Sequence, residues 1–133
     1  MAGLSLGPVL LIDDSSADNF LAKRVLRAAG IASKLLSFLS GDEALSYLSQ
    51  TDREPVDLIL LDVNMPRMDG FDFAAEYRRL DDGLKAKNLF LMISSELSMG
   101  DEKRLKAEPV IDATIAKPLD PEAIARLLGL PRA

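Results

Sequence analysis

The chain has 133 residues, of which 48% are hydrophobic and 28% charged, and its formal net charge is −5 at pH 7. This balance is typical of one soluble globular domain, and the lack of a dense basic stripe argues against direct DNA binding. The sequence has no cysteine and no histidine, which excludes disulfides, thiolate metal sites and a histidine general base. Neither a signal peptide nor an apolar run near the roughly 20 residues that span a bilayer is recognisable. We therefore expect a cytoplasmic protein without a membrane anchor.

The first half of the chain contains three apolar runs separated by two helical patterns. Residues 9–12 form the first run, and a helical pattern over 17–29 follows it. Residues 33–39 alternate only loosely, which indicates a shorter strand near a sheet edge. A second helix is predicted over about 40–48. After a polar loop, the run 56–61 has the composition of a strand buried on both faces.

The second half continues this alternation. Residues 71–80, 99–107 and 120–128 are predicted helices, and residues 89–93 and 113–116 are predicted strands between them. The helix at 99–107 has the weakest apolar stripe. The last helix begins with an aspartate followed by a proline, which is a strong helix-start signal.

Five strands that alternate with five helices predict an α/β fold. The expected architecture is a doubly wound, five-stranded parallel sheet with helices on both faces, in three layers. In such a sheet the strands share one direction. The residues that follow them therefore gather at one edge, which is where ligands bind.

Side chains with useful chemistry directly follow four of the five predicted strands. They are Asp13 and Asp14, Asp62, Ser94 and Lys117. Three neighbouring carboxylates repel one another, and burial would raise their proton affinity. A divalent cation removes this repulsion, and oxygen ligands without histidine or cysteine favour magnesium over zinc.

The same residues could also hold a phosphoryl group. A cation, the ammonium of Lys117 and the hydroxyl of Ser94 would surround its oxygens, and the carboxylate of Asp62 could act as the nucleophile to give an aspartyl phosphate. Taken singly, each residue is more often a cap, a loop hydroxyl or a solvated charge. The prediction depends on their joint position at strand ends.

Four segments together resemble the receiver domains of bacterial two-component response regulators. They are LLIDD at 10–14, LILLDVNMPRMDGF at 58–71, LMISS at 91–95 and AKP at 116–118. The resemblance covers nearly the whole chain and implies a flavodoxin-like strand order, 2-1-3-4-5. We expect a single receiver domain over 1–133, with its core at about 8–130 and no output domain.

The resemblance also implies roles for the acidic residues. Asp62 would be the phosphoacceptor, and Mg²⁺ would be the cofactor. The implied metal ligands are Asp13, Asp14, Asp62 and the backbone carbonyl of Asn64. Of the adjacent pair, we expect Asp14 to be the direct ligand and Asp13 to act through water.

Further positions concern the phosphate and the response to it. Ser94 and Lys117 would bind the phosphoryl oxygens and switch on phosphorylation, and the bond before Pro118 would be cis, as in the family. Thr114 stands where receivers usually carry Tyr or Phe. We therefore expect phosphorylation to move the loop 94–100 and the helix after it, without an aromatic toggle.

The implied function is that of a stand-alone response regulator. It would take a phosphoryl group from a sensor histidine kinase or a histidine phosphotransfer protein and act on an unknown downstream protein. It would catalyse only its own phosphorylation and dephosphorylation, with Asn64 and Glu96 tuning the loss of phosphate. Two alternatives remain: a magnesium-dependent small-molecule phosphohydrolase, and a pseudo-receiver that is never phosphorylated. Nucleotide binding lacks support because no glycine-rich phosphate loop is present.

Overall fold

The computed structural model describes residues 6–94 and 96–130. The strands are β1 (Leu6–Ile12), β2 (Ala32–Phe38), β3 (Leu58–Asp62), β4 (Asn88–Ile93) and β5 (Ala113–Ala116). The helices are α1 (Ser16–Ala28), α2 (Gly41–Leu48), α3 (Gly70–Arg78), α4 (Met99–Lys106) and α5 (Pro121–Leu128). The two ends of the predicted domain, residues 1–5 and 131–133, lie outside the described residues, and so does Ser95, the last residue of the LMISS segment.

All five strands lie in one parallel sheet in the order β2-β1-β3-β4-β5. This is the predicted strand order, and the loosely patterned second strand lies at an edge, as expected. All five residues of β3 are buried. The central apolar run is therefore covered on both faces, which confirms the sequence interpretation.

Several element boundaries differ from the prediction by one to three residues, and for two of them the backbone hydrogen bonds give the reason. β1 begins at Leu6, ahead of its apolar run, because the Leu6 N–H donates to the carbonyl of Ile31 (2.7 Å) beside the edge strand. α3 ends at Arg78 instead of continuing to Leu80. The N–H groups that follow donate to carbonyls three residues back, so the last turn tightens.

The core has two parts, one on each face of the sheet. On one face, alternate strand residues pack with α2 and α3; their buried members include Leu10, Ile59, Leu91, Ala44, Leu48, Phe73 and Tyr77. On the other face, the intervening residues pack with α1 and α5; their buried members include Leu11, Leu60, Phe90, Leu26 and Ile124. The predicted three-layer architecture is confirmed.

Helix α4 differs from its neighbours because none of its residues is buried. It is helical, as predicted, and its weak apolar stripe corresponds to this shallow packing. Among the described residues, no helix is long and apolar enough to cross a membrane.

Candidate functional site

Asp62 is the last residue of β3 and lies buried at the carboxyl edge of the sheet. The loop 63–69 after it folds back closely: the Val63 N–H donates to the carbonyl of Met92 (3.2 Å), and the Gly70 N–H donates to the carbonyl of Val63 (3.0 Å). A Cβ atom at Gly70 would lie 2.8 Å from the carbonyl oxygen of Asp62. Glycine is therefore needed to hold this loop against the end of β3.

Asp13 and Asp14 follow the neighbouring strand, β1, and differ in exposure. Asp13 is buried, its N–H donates to the carbonyl of Phe38 (3.1 Å), and its Oδ1 atom accepts from the N–H of Ser15 (3.0 Å). Asp14 is exposed. One carboxylate oxygen from each of Asp13, Asp14 and Asp62 lies within 4.8 Å of the other two. The predicted acidic cluster therefore forms at this edge of the sheet.

Lys117 follows β5 and reaches across the sheet edge to these acids. Its backbone N–H donates to the carbonyl of Ile93 (2.9 Å), which keeps it in register with β4. Its Nζ atom lies 2.7 Å from Oδ2 of Asp13, 3.1 Å from Oδ1 of Asp62 and 3.3 Å from Oδ2 of Asp18. One ammonium thus contacts three carboxylates.

The electrostatics of the cluster favour an additional cation. Burial and the charge of Asp13 raise the pKa of Asp62, and the ammonium of Lys117 offsets only part of this effect. Burial lowers the pKa of Lys117, but the hydrogen bond to Asp13 and the charge of Asp62 outweigh it and raise the pKa overall. The lysine therefore stays protonated beside more carboxylates than it can neutralise. These oxygen donors fit Mg²⁺, which prefers carboxylate and carbonyl ligands.

The remaining predicted site residues lie around this cluster. Ser94 directly follows β4 and is exposed, as is Glu96 in the loop that leads to α4. The side chain of Asn64 is exposed, and its backbone offsets part of the rise in the pKa of Asp62. The peptide bond before Pro118 is cis. Thr114 is half-buried in β5.

Two further polar residues at the site were missed by sequence reasoning. Asn19 is only 5% exposed, and its Nδ2 atom donates to the carbonyls of Asp13 (3.0 Å) and Phe38 (3.4 Å). The sequence pattern could have identified Asn19, because helical periodicity places it on the same apolar face of α1 as Leu26. Asp18 contacts Lys117 from the first turn of the same helix. Its position in the sequence resembles any acidic helix start, so no pattern distinguishes it.

A cavity of about 290 Å³ adjoins the acidic cluster between α1 and the loop after β5. Leu21, Val25 and Leu119 line its apolar side, and Asp13 and Lys117 lie at its polar end. The site therefore opens beside a partly apolar surface of α1.

The comparisons with known proteins agree with this geometry. The family model described as the response regulator receiver domain matches residues 9–128. The sensor histidine kinase CheAY of Helicobacter pylori is 37% identical over 121 residues, which are 90% of this chain and 14% of that protein. The transcriptional regulatory protein BaeR of Escherichia coli is 35% identical over 120 residues, which are 90% of this chain and 45% of that protein. The chain thus spans less than half the length of these relatives.

Solved structures show the same fold over nearly the whole chain. A two-component response regulator from Cytophaga hutchinsonii has a TM-score of 0.80 and 28% identity, covering 95% of this chain and 96% of that one. The chemotaxis protein CheY4 of Vibrio cholerae has a TM-score of 0.72 and 27% identity, covering 94% of this chain and 98% of that one. With its sheet order, its acidic cluster and these matches, the chain belongs to the response regulator receiver domain family.

Proposed function

We propose that this receiver accepts a phosphoryl group on Asp62 from a phosphohistidine donor and passes the signal on through contacts with other proteins. The observation that carries the proposal is the setting of the Asp62 carboxylate. It lies buried at the end of β3, 3.1 Å from the ammonium of Lys117, with oxygens of Asp13 and Asp14 within 4.8 Å.

In the proposed reaction, an oxygen of Asp62 attacks the phosphorus atom. The bond between phosphorus and the donor's histidine nitrogen breaks, and that nitrogen keeps the electron pair. The negative charge of the transition state spreads over the three phosphoryl oxygens. The ammonium of Lys117 and the hydroxyl of Ser94 donate hydrogen bonds to these oxygens. Attack by water later releases inorganic phosphate and restores the Asp62 carboxylate.

The acidic cluster would hold the magnesium ion on which this reaction depends. The proposed ligands are Asp13, Asp14, Asp62 and the backbone carbonyl of Asn64. When bound, Mg²⁺ supplies positive charge that offsets the carboxylates and the incoming phosphoryl group. The carboxylate of Asp13 already accepts hydrogen bonds from Lys117 and from the backbone, whereas Asp14 faces solvent. This difference supports Asp14 as the direct ligand of the adjacent pair.

Asn64 and Glu96 border the path of the water that removes the phosphate. Both side chains are exposed, and each lies two positions after Asp62 or Ser94. Substituting both should change the rate at which the label decays after the donor is removed, without changing the labelled residue. An unchanged decay rate would exclude this role.

The proposed donor is a sensor histidine kinase or a histidine phosphotransfer protein. Its histidine has to reach Asp62 through the opening bordered by α1. On this helix Phe20 is 60% exposed and Leu21 is 56% exposed, and Leu21 also lines the cavity beside Lys117. An apolar helical surface that carries the phosphohistidine would cover these two side chains and place the histidine at the site.

The two alternative functions have less support. A phosphohydrolase needs an acid near Asp62 to protonate its leaving group, whereas the residue two positions on is Asn64. A pseudo-receiver has no need for the contacts that Lys117 makes with Asp13 and Asp62.

Phosphorylation with acetyl phosphate or a phosphorylated histidine donor in Mg²⁺ tests the proposal. We expect one hydroxylamine-sensitive phosphate on the parent protein, and none with Asp62→Asn or with a chelator. Asp42→Asn is the control, since Asp42 is an exposed acid in the first turn of α2; it should keep parental labelling. Labelling of Asp62→Asn, or labelling that persists with the chelator, would contradict the proposal.

A further inference from the structure

We infer that Asp18 is a positioning residue that holds the ammonium of Lys117 at the phosphoacceptor while Asp13 and Asp62 are occupied by other partners. The inference rests on the proposed function of Asp62 as phosphoacceptor. It concerns a residue that no receiver motif in this sequence includes.

The contacts of Lys117 show why a third carboxylate matters. Its Nζ atom has three N–H donors, and it lies 2.7 Å from Asp13, 3.1 Å from Asp62 and 3.3 Å from Asp18. The lysine side chain is 19% exposed and that of Asp18 is 48% exposed, so this pair forms the solvent-facing side of the contact. Of the three acids, only Asp18 has no proposed role as nucleophile or metal ligand.

Phosphorylation changes what the other two carboxylates can offer. One oxygen of Asp62 becomes bonded to phosphorus, and the carboxylate of Asp13 has to be shared between Lys117 and a water molecule of the metal site. A lysine side chain is long and flexible, so weakening of these two contacts would let the ammonium turn towards solvent. The carboxylate of Asp18 can keep one hydrogen bond to it throughout. The remaining N–H groups of Lys117 then point at the phosphoryl oxygens.

Asp18 is suited to this task because its backbone is held firmly. The N–H of Asp18 donates to Oγ of Ser15, which caps α1 (3.1 Å). The next residue, Asn19, donates to the carbonyl of Asp13 (3.0 Å) and so anchors the same turn to the end of β1. The Asp18 carboxylate therefore projects from a turn that is fixed relative to the cluster.

An acid in the first turn of a helix also stabilises that helix through its dipole, and this simpler role has to be separated from positioning. The chain contains a matched control in α4. Asp101 occupies the same position behind the Ser98 cap, and its N–H donates to Oγ of Ser98 (3.1 Å). The negative charge of Asp101 attracts the guanidinium of Arg104. Asp101→Asn therefore removes a charge from an equivalent helix start, but at a position outside the acids that contact Lys117.

The test measures binding of beryllofluoride, which stands in for the phosphoryl group, in the presence of Mg²⁺. Asp18→Asn should weaken binding by about threefold to tenfold, as expected for one partly exposed charged hydrogen bond. Asp18→Glu should restore most of the loss, and Asp101→Asn should bind like the parent. In the bound state, the ammonium protons of Lys117 observed by NMR should exchange with water faster in Asp18→Asn than in the parent.

Each other outcome overturns a defined part of this inference. Parental or tighter binding by Asp18→Asn would exclude a positioning role, and tighter binding would show that Asp18 competes with the phosphoryl group for Lys117. An equal loss in Asp101→Asn would assign the effect to the helix start. A parent protein that neither binds beryllofluoride nor accepts phosphate would reject the proposed function, and this inference with it.

Discussion

Tyr77 shows at the scale of one residue how burial controls ionisation in this protein. Its ring is buried and stacks with Phe73 at a centroid distance of 5.7 Å, and its hydroxyl oxygen accepts from the N–H of Ala86 (2.7 Å). Burial raises the pKa of Tyr77 to about 12. The unfolded chain ionises near pH 10, so the contribution to stability is fully present below pH 10 and is lost as the pH rises towards 12.

The variant Tyr77→Phe tests this linkage. At pH 7 it should lower the free energy of unfolding by about 1 kcal/mol, because the Ala86 N–H loses its acceptor. Between pH 10 and pH 12 the difference between parent and variant should shrink, because only the parent has a phenol that ionises on unfolding. Urea denaturation at several pH values measures both quantities. A difference that stays constant across this range would contradict the assignment.

At the scale of the element, α4 packs only shallowly on the core, through the partly buried Leu105, and is also held by charged contacts. Arg104 donates to Asp69 (2.9 Å) and Asp72 (3.1 Å), and its guanidinium lies 4.7 Å from the centroid of the Phe71 ring. Asp69 and Asp72 form the capping box of α3. Arg104 therefore connects α4, which has no fully buried residue, to the helix that follows the loop after Asp62.

Removing this connection should loosen α4. Arg104→Gln should speed amide hydrogen exchange in α4 by severalfold, because local opening of a weakly packed helix costs little. Salt near 1 M should have a smaller effect in the same direction on the parent, because it screens exposed charges. Arg79→Gln is the control, since Arg79 is largely exposed and lies 3.9 Å from Glu76. Unchanged exchange in Arg104→Gln would show that other contacts hold the helix.

The shallow packing of α4 bears on how the proposed phosphorylation would change the structure. Thr114 is too small to replace the aromatic ring usual at its position, so we expect beryllofluoride to move the loop 94–100 and α4 without a ring that turns inward. A ligand shifts such an equilibrium only by its differential affinity for the two states. We therefore expect a modest shift. Amide chemical shifts with and without beryllofluoride are the measurement, and changes centred on Thr114 with a quiet loop would indicate a different route.

At the scale of the whole molecule, the exposed residues around the site differ between the side that carries α1 and the side that carries α4. Leu21 lies on α1 beside the cavity, and Met99, 79% exposed, begins α4 on the opposite side. A protein donor has to cover part of this surface, whereas acetyl phosphate does not. The two donors should therefore respond differently to a charge placed on α1.

The variant Leu21→Glu should reduce phosphotransfer from a phosphohistidine protein by about tenfold or more, which corresponds to loss of one important interface residue. Its labelling by acetyl phosphate should remain near that of the parent. Met99→Glu should leave both reactions unchanged. Equal losses with both donors would place the effect in the site itself, and no loss with either would exclude docking on this part of α1.

The fold was predictable because its information is local and repeated. Apolar runs of strand length alternate with helical patterns, and right-handed crossovers permit few arrangements of such units. The family resemblance supplied the strand order. The exact start of β1 was not predictable, because it depends on pairing with the neighbouring edge strand and not on the apolar run itself.

The sequence by itself determined which side chains reach the carboxyl edge of the sheet, because parallel strands share one direction. Only the tertiary structure decided which of them touch. Asp13 is buried against Lys117 while the adjacent Asp14 is exposed, and Asp18 joins the cluster from a helix. These contacts depend on how α1 packs on the sheet and on how Lys117 extends across it. Residue spacing is a local property, whereas distances between side chains on different elements are set by packing.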